Sequence, residues 1–208
     1  MANRAHSKIS TIKNERREIQ TTHKDIEAVL VQHFRNITRE NTPDRDKPMR
    51  GIIGHIPKLV SREDNFNLNI PVEEEEVRQV LKEMQNGKAP GPDGFNVDFF
   101  KACWHIVKEE IVDVVEASSR SKTILKALNT SFLSLIPKQD RAQAANKYKP
   151  IALCNVVYKI ISKVVANRLK PLLPSLVSEE QLGYVEGRQI LDNIIQAHEV
   201  VHTLTSKK

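Results

Sequence analysis

Cysteine is nearly absent: Cys103 and Cys154 are the only two, and they form no CxxC pair. That removes a disulfide framework, argues against a cysteine-held zinc, and leaves both as small core residues. No uninterrupted apolar run approaches the ~20 residues that cross a bilayer. No charged-apolar-small leader opens the chain, so it reads as soluble and intracellular, nuclear or cytoplasmic, with no membrane partner. No internal repeat is visible. The phosphate-binding P-loop pattern is missing as well, because Lys82 stands where its leading glycine belongs and Ala89 follows Lys88 in place of Ser or Thr.

Charge is present in blocks. Residues 1–62 hold thirteen Lys/Arg against seven Asp/Glu, residues 63–98 three against nine, and residues 99–208 sixteen against ten. Between 137 and 170 there are eight basic residues and a single acid, Asp140. Such density is the footprint of a nucleic-acid or nucleotide-phosphate contact, the bland alternative being a lysine-rich solvated surface. Inside it lie two apolar runs, 131–138 and 148–153, separated by a polar gap that starts after Pro137. They predict two short strands flanking a basic loop, with Lys138, Arg141, Lys147 and Lys149 crowded at one tip.

Elsewhere helical periodicity dominates. Ile9, Ile12 and Ile19 suggest a hairpin or irregular lead-in. Thr22 with Asp25 signals the start of a helix carrying Ile26, Val29, Leu30, His33, Phe34 and Ile37. Residues 41–50, with two prolines and alternating charge, read as a linker, and 52–60 as a stretch that packs back locally. Pro71 is expected to open a helix whose first turns hold Glu73 to Glu76, with Val77, Val80, Leu81 and Met84 buried and Gly87 as its stop. The rigid loop Lys88-Ala-Pro-Gly-Pro-Asp-Gly94 follows, with a tight turn at Pro92-Asp93-Gly94. A long helix is expected over 97–118, then a helical turn at 124–128. Asn155 is positioned to cap a helix with Val156, Val157, Ile160, Ile161, Val164, Val165 and Leu169 inward and Lys159, Lys163 and Lys170 on the other side, ended by Pro171. Gly183 and Gly187 free the backbone around Tyr184 and Arg188, which suits stacking and phosphate contact or equally a structural turn. His198-Glu-Val-Val-His202 on the last helix matches HExxH, the zinc metalloprotease motif. A catalytic zinc needs a third ligand, and residues 203–208 contain no His, Glu, Asp or Cys. The carboxylates form no catalytic set either: Asp93 sits in a turn, and Asp192 lies near a helix start.

The ordered series Lys88 to Gly94, Leu135-Ile-Pro-Lys138, Tyr148-Lys-Pro-Ile-Ala-Leu-Cys-Asn155, Tyr158 to Lys163, Asn167-Arg-Leu-Lys170 and Gln181 to Asn193 resembles the reverse transcriptase of plant LINE-type (non-LTR) retrotransposons. The likeness runs through most of the chain and thins before residue 70. It implies an α+β, mainly helical fold: the fingers part of a right-hand polymerase with a short two-stranded antiparallel hairpin, the palm missing. Residues 1–62 would be a linker after a lost endonuclease, and 63–208 a partial reverse transcriptase domain. By motif, Lys138 and Lys149 would bind a nucleotide triphosphate. Lys88, Arg141, Lys147, Lys159, Lys163, Tyr184 and Arg188 would contact nucleic acid. The implied partners are an RNA template, an RNA–DNA hybrid and the missing palm and thumb of the parent polyprotein.

Three departures stand out. Lys149 replaces the usual Arg, trading a two-pronged fork for a point charge. Tyr184 replaces the usual Phe. Arg17 sits in what resembles a turn normally made by Gly, which would cost a hairpin there. The resemblance also puts the metal-binding aspartates beyond Lys208, so Mg2+ and dNTP belong to the complete enzyme and this chain alone is expected to be inactive. A module that grips RNA or DNA without catalysis is the competing expectation. Fingers rest on a palm, so the exposed apolar side of the 97–118 helix or of the last helix is expected to lack its partner.

Overall fold

A computed structural model describes residues 9–39, 51 and 53–206. The 41–50 linker lies outside the described residues. The chain forms two compact units, one from 1–55 with 130–154 and one from 56–129 with 155–208.

In the first unit, β1 (Ile12–Lys13) and β2 (Ile19–Gln20) pair antiparallel, with Ile12 opposite Gln20. The hairpin forms although Arg17 must adopt φ 63°. Asn14 closes the turn: its Oδ1 accepts from the Glu18 N–H at 2.9 Å, and its Nδ2 donates to Glu18 Oε2 at 2.8 Å. Helix α1 (His23–Thr38) starts at Thr22, whose hydroxyl accepts from the Asp25 N–H as its sequence signals. Strands β3 (Ser131–Pro137) and β4 (Tyr148–Cys154) form a seven-residue antiparallel ladder, Ser131 opposite Cys154 and Pro137 opposite Tyr148. The core joins Ile12 and Ile26 to Ala142, Ala145 and Tyr148.

The second unit is helical. Ser61 and Asp64 exchange reciprocal cap bonds at the start of α2 (Arg62–Leu68), while Ile56, Leu59 and Val60 before it are exposed rather than packed back. Helix α3 (Glu74–Glu83) begins three residues after Pro71, with Glu73 at the N-cap position but making no side-chain cap bond. The expected single helix over 97–118 is two: α4 (Val97–Ala102) and α5 (Trp104–Ser121), broken at Cys103. Helix α6 (Val156–Leu169) passes through a 3₁₀ turn containing Pro171 into α7 (Leu173–Leu176), and α8 (Ile190–Ser206) ends the described chain. Val77, Val80, Leu81, Phe100, Ile111, Val115, Ile160 and Val164 meet in one core. Each fully buried aliphatic side chain there contributes about 1.5–3 kcal/mol. Helix α8 leaves Leu191, Ile194, Ile195, Val200, Val201 and Leu204 exposed. Among the described residues no helix is long and apolar enough to cross a membrane.

The largest polar commitment inside this unit is Arg168. It falls four residues after Val164, on the core side where the apolar stripe should continue, while Val165 and Leu169 are exposed. Its guanidinium grips Glu76 at 2.6 and 2.7 Å and donates to the carbonyls of Leu68, Ile70 and Pro71. The Glu76 hydrogen bonds raise its pKa further. The glutamate run therefore does more than face the helix dipole: Glu74 pairs with Lys108 at 3.0 Å, and Glu75 with Arg78 at 3.2 Å. Lys101 caps the far end of α3, donating to the carbonyls of Lys82 and Met84.

Candidate nucleic-acid interface

Alternation along β3 and β4 sorts side chains to two faces. Leu135 and Tyr148 pack toward the first unit's core. The opposite face carries Phe132, Ile136 and Ile151, all exposed, with Lys149 directly across from Ile136. The Lys138 N–H donates to the Lys147 carbonyl at 2.8 Å just beyond the ladder, where Lys147 ends a 3₁₀ turn (Ala145–Lys147), so Lys138, Lys147 and Lys149 lie at the turn end of the hairpin. All three are exposed. Lys138 Nζ spends one donor on the Asn146 carbonyl at 3.0 Å. Among the described residues Lys149 has no ion-pair or hydrogen-bond partner for its ammonium. Like charges opposite one another destabilise a hairpin, a cost repaid only when an anion arrives.

The connection between the strands is only partly a free tip. Ala142 and Ala145 are buried, the Tyr148 hydroxyl donates to the Ala142 carbonyl at 2.8 Å, and the Lys13 N–H donates to the Gln143 carbonyl at 2.6 Å. Burial pushes the Tyr148 phenol up. Arg141 turns at φ 53° and points the loop back over a polar cleft of about 480 Å³, lined by Lys138, Asp140, Arg141 and Gln143 among others. The turn end of the hairpin thus carries Lys138, Arg141 and Lys147 on a loop held by backbone bonds, with Lys149 in the adjoining strand.

The second unit holds the other expected contacts, and they do not form one cluster. Lys88 is exposed on the loop after Gly87, which sits at φ 68° and donates its N–H to Asp98. That loop is fastened by Asn155. Its Oδ1 accepts from the Asp93 N–H at 3.2 Å, and its Nδ2 donates to the carbonyls of Ala127 and Leu128. Asn155 does stand at the N-cap of α6, but its side chain makes no cap bond because it is spent on this clasp. Lys159 is half-buried, and Lys163 pairs with Glu83 at 3.0 Å, holding that carboxyl below its usual range. Lys170 pairs with Glu186 at 3.0 Å. The basic stripe on α6 is therefore partly neutralised. Tyr184 is fully exposed at φ 66°, and Arg188 has its guanidinium among main-chain carbonyls. On α8, a concavity lined by Ile194, Ile195, His198, Glu199, His202 and Thr203 belongs to one helix face. Among the described residues no group of three or more His, Cys, Asp or Glu could hold a metal ion.

Sequence reasoning missed Arg168, Asn155 as a clasp, and Lys101. The first had a signal, a charged residue on the apolar face of a helix. The other two had none, because an Asn after a strand and a Lys on a helix serve many ends.

Comparison with known proteins adds two findings. The chain is 28% identical over 144 residues to the Transposon TX1 uncharacterized 149 kDa protein of Xenopus laevis, an alignment that covers 69% of this chain and 11% of that protein. Residues 136–208, which begin at the end of β3 and include Lys138, Lys149, Tyr184 and Arg188, match the family described as Reverse transcriptase (RNA-dependent DNA polymerase).

Proposed function

We propose that the chain is a reverse transcriptase fragment of a non-LTR, LINE-type retrotransposon, the kind its ordered motifs resemble in plants, and that it contributes the fingers. In that reading Lys138 and Lys149 hold a nucleotide triphosphate, and Lys88, Arg141, Lys147, Lys159 and Lys163 meet the nucleic-acid backbone. The observation that carries it is the exposure of Lys138, Lys147 and Lys149 together at the turn end of β3–β4, inside the segment that matches the reverse transcriptase family. A lysine ~4 Å from a phosphate oxygen gains on the order of 4 kcal/mol at a surface-like dielectric before desolvation is charged against it. The similarity to a transposon protein supports the retrotransposon origin.

The test is binding of a labelled RNA–DNA hybrid across a salt series. Affinity should fall linearly on a log–log plot, and Lys147→Ala should reduce the slope by about 1. Added dNTP should protect Lys138 and Lys149 from amine-reactive labelling, and Lys149→Arg should tighten dNTP binding by restoring the fork. No measurable hybrid binding at low salt, by a chain that unfolds cooperatively, would remove the reading.

A further inference from the structure

We infer that Tyr184 is a stacking platform for an unpaired nucleobase of a single strand, and that Arg188 positions it without touching the ligand. The inference rests on the nucleic-acid reading above and assigns different work to the two residues.

Tyr184 combines two costs that nothing in its own unit repays. Its backbone sits at φ 66°, a region L side chains rarely adopt, and the residue is 103% exposed, so the ring is left unpacked. Such conformations persist where the surroundings over-determine them, and they cluster at ligand sites. Here the surroundings do so. Arg188 Nη1 donates to the carbonyls of Ser178 and Gln181 at 2.5 and 2.8 Å, and Nη2 to those of Pro174 and Val177, both at 3.2 Å. The last two are end carbonyls of α7, the groups a helix leaves unpaired. Val185, beside the tyrosine, is buried, Asn193 donates to the Glu180 carbonyl at 2.7 Å, and Gly187 turns at φ 79°.

The guanidinium is thus committed to four main-chain oxygens, and a phosphate would have to displace them. What the loop offers outward is a π-face on a stiff base. That fits a nucleobase, whose stacking on an aromatic tolerates any sequence. Lys170 is already paired with Glu186 and the Arg188 guanidinium is held by carbonyls, so the contact contributes affinity with little dependence on salt.

The experiment compares a labelled single-stranded oligouridylate, the corresponding oligothymidylate and a blunt RNA–DNA hybrid, each across a salt series. Tyr184→Ala should weaken both single strands about tenfold with the salt slope unchanged, and leave the fully paired hybrid nearly untouched. Tyr184→Phe should keep wild-type affinity. Tyr184→Gly should melt at a higher temperature than wild type, the strain being relieved, yet bind as poorly as Tyr184→Ala; a purely structural tyrosine would not separate the two readouts. Arg188→Lys keeps the charge but loses the fork, and should fall to the level of Tyr184→Ala at an unchanged salt slope. Wild-type single-strand affinity in Tyr184→Ala and Tyr184→Gly, with wild type binding, overturns the inference alone. An Arg188→Ala variant whose salt slope drops by about 1 makes Arg188 a phosphate contact and overturns its positioning role. Failure of the wild type to bind any of the three probes removes the underlying reading, and the inference with it.

Discussion

Arg17 occupies the one turn position in β1–β2 that asks for a left-handed backbone, φ 63°, and its side chain is exposed. A Cβ there costs about 1–2 kcal/mol relative to glycine, partly offset by glycine's greater freedom in the unfolded chain. Arg17→Gly should therefore stabilise the first unit by about 1 kcal/mol, read as a higher denaturant midpoint at unchanged m-value. Asn155 is the opposite case, a buried side chain using both ends of its amide. Asn155→Ala strands a backbone N–H and two carbonyls and should cost about 2–3 kcal/mol. Asn155→Asp should be no better, since a carboxylate keeps the Asp93 bond but faces the Ala127 and Leu128 oxygens with no proton to give. Equal stability of Asn155→Asp and wild type would show that the clasp is dispensable. The clustering of Lys138, Arg141, Lys147 and Lys149 was legible from a polar gap between two apolar runs. The role of Arg188 was not, because an arginine beside a glycine reads the same whether its donors meet phosphate or main chain.

Among the elements, β3–β4 follows from two apolar runs around a polar gap, and α6 from 3.6-residue recurrence, although Val165 and Leu169 of its expected inward set are exposed. The break between α4 and α5 carries no proline or glycine, so periodicity runs through it unmarked. Helix α2 was not expected: Ser61 and Asp64 cap it, but none of its residues is buried, so no apolar stripe marks it. The segment entering α3 is held by charge: Arg168 takes three of its carbonyls, and the Glu116 carboxylate accepts from the Val72 N–H at 2.8 Å. That backbone bond holds the Glu116 carboxyl below its ordinary value of 4.5. A depressed carboxyl stabilises the fold above its ordinary value, and the contribution fades as pH falls through the folded-state value. Thermal stability of the second unit should thus drop as pH is lowered below 4.5, and Glu116→Gln should show a lower midpoint at neutral pH with a shallower acid decline. A decline as steep as the wild type's would assign the acid sensitivity to other carboxylates. Arg168→Ala leaves Glu76 without its partner and should cost about 3 kcal/mol.

At the scale of the whole molecule, each unit has its own core, centred on Ile12 in one and on Ile160 in the other, both fully buried. Ile12→Ala and Ile160→Ala should each cost about 2–5 kcal/mol. Amide exchange should then accelerate in β1–β4 and α1 for the first variant and in α3, α5 and α6 for the second. Uniform acceleration in both variants would mean that the chain opens as a single cooperative block. The makeup of the first unit was not readable in advance, because Ala142 and Ala145 sit in a stretch of polar and small residues. Only their burial against Ile12 and Ile26, more than a hundred positions earlier, reveals what they are for.

That separation bears on synthesis. The side chain of Ile12 leaves the ribosome ahead of Ala142, Ala145 and Tyr148 and has no complete pocket until they follow. At 5–20 residues per second the delay is on the order of ten seconds, long on the timescale of hairpin and helix formation. During it the helices of 56–129 emerge between the two pieces of the first unit. The residues around Ile12 are thus made well before their pocket is finished, a window in which a chaperone or a nascent partner would find Ile12 and Ile26 uncovered.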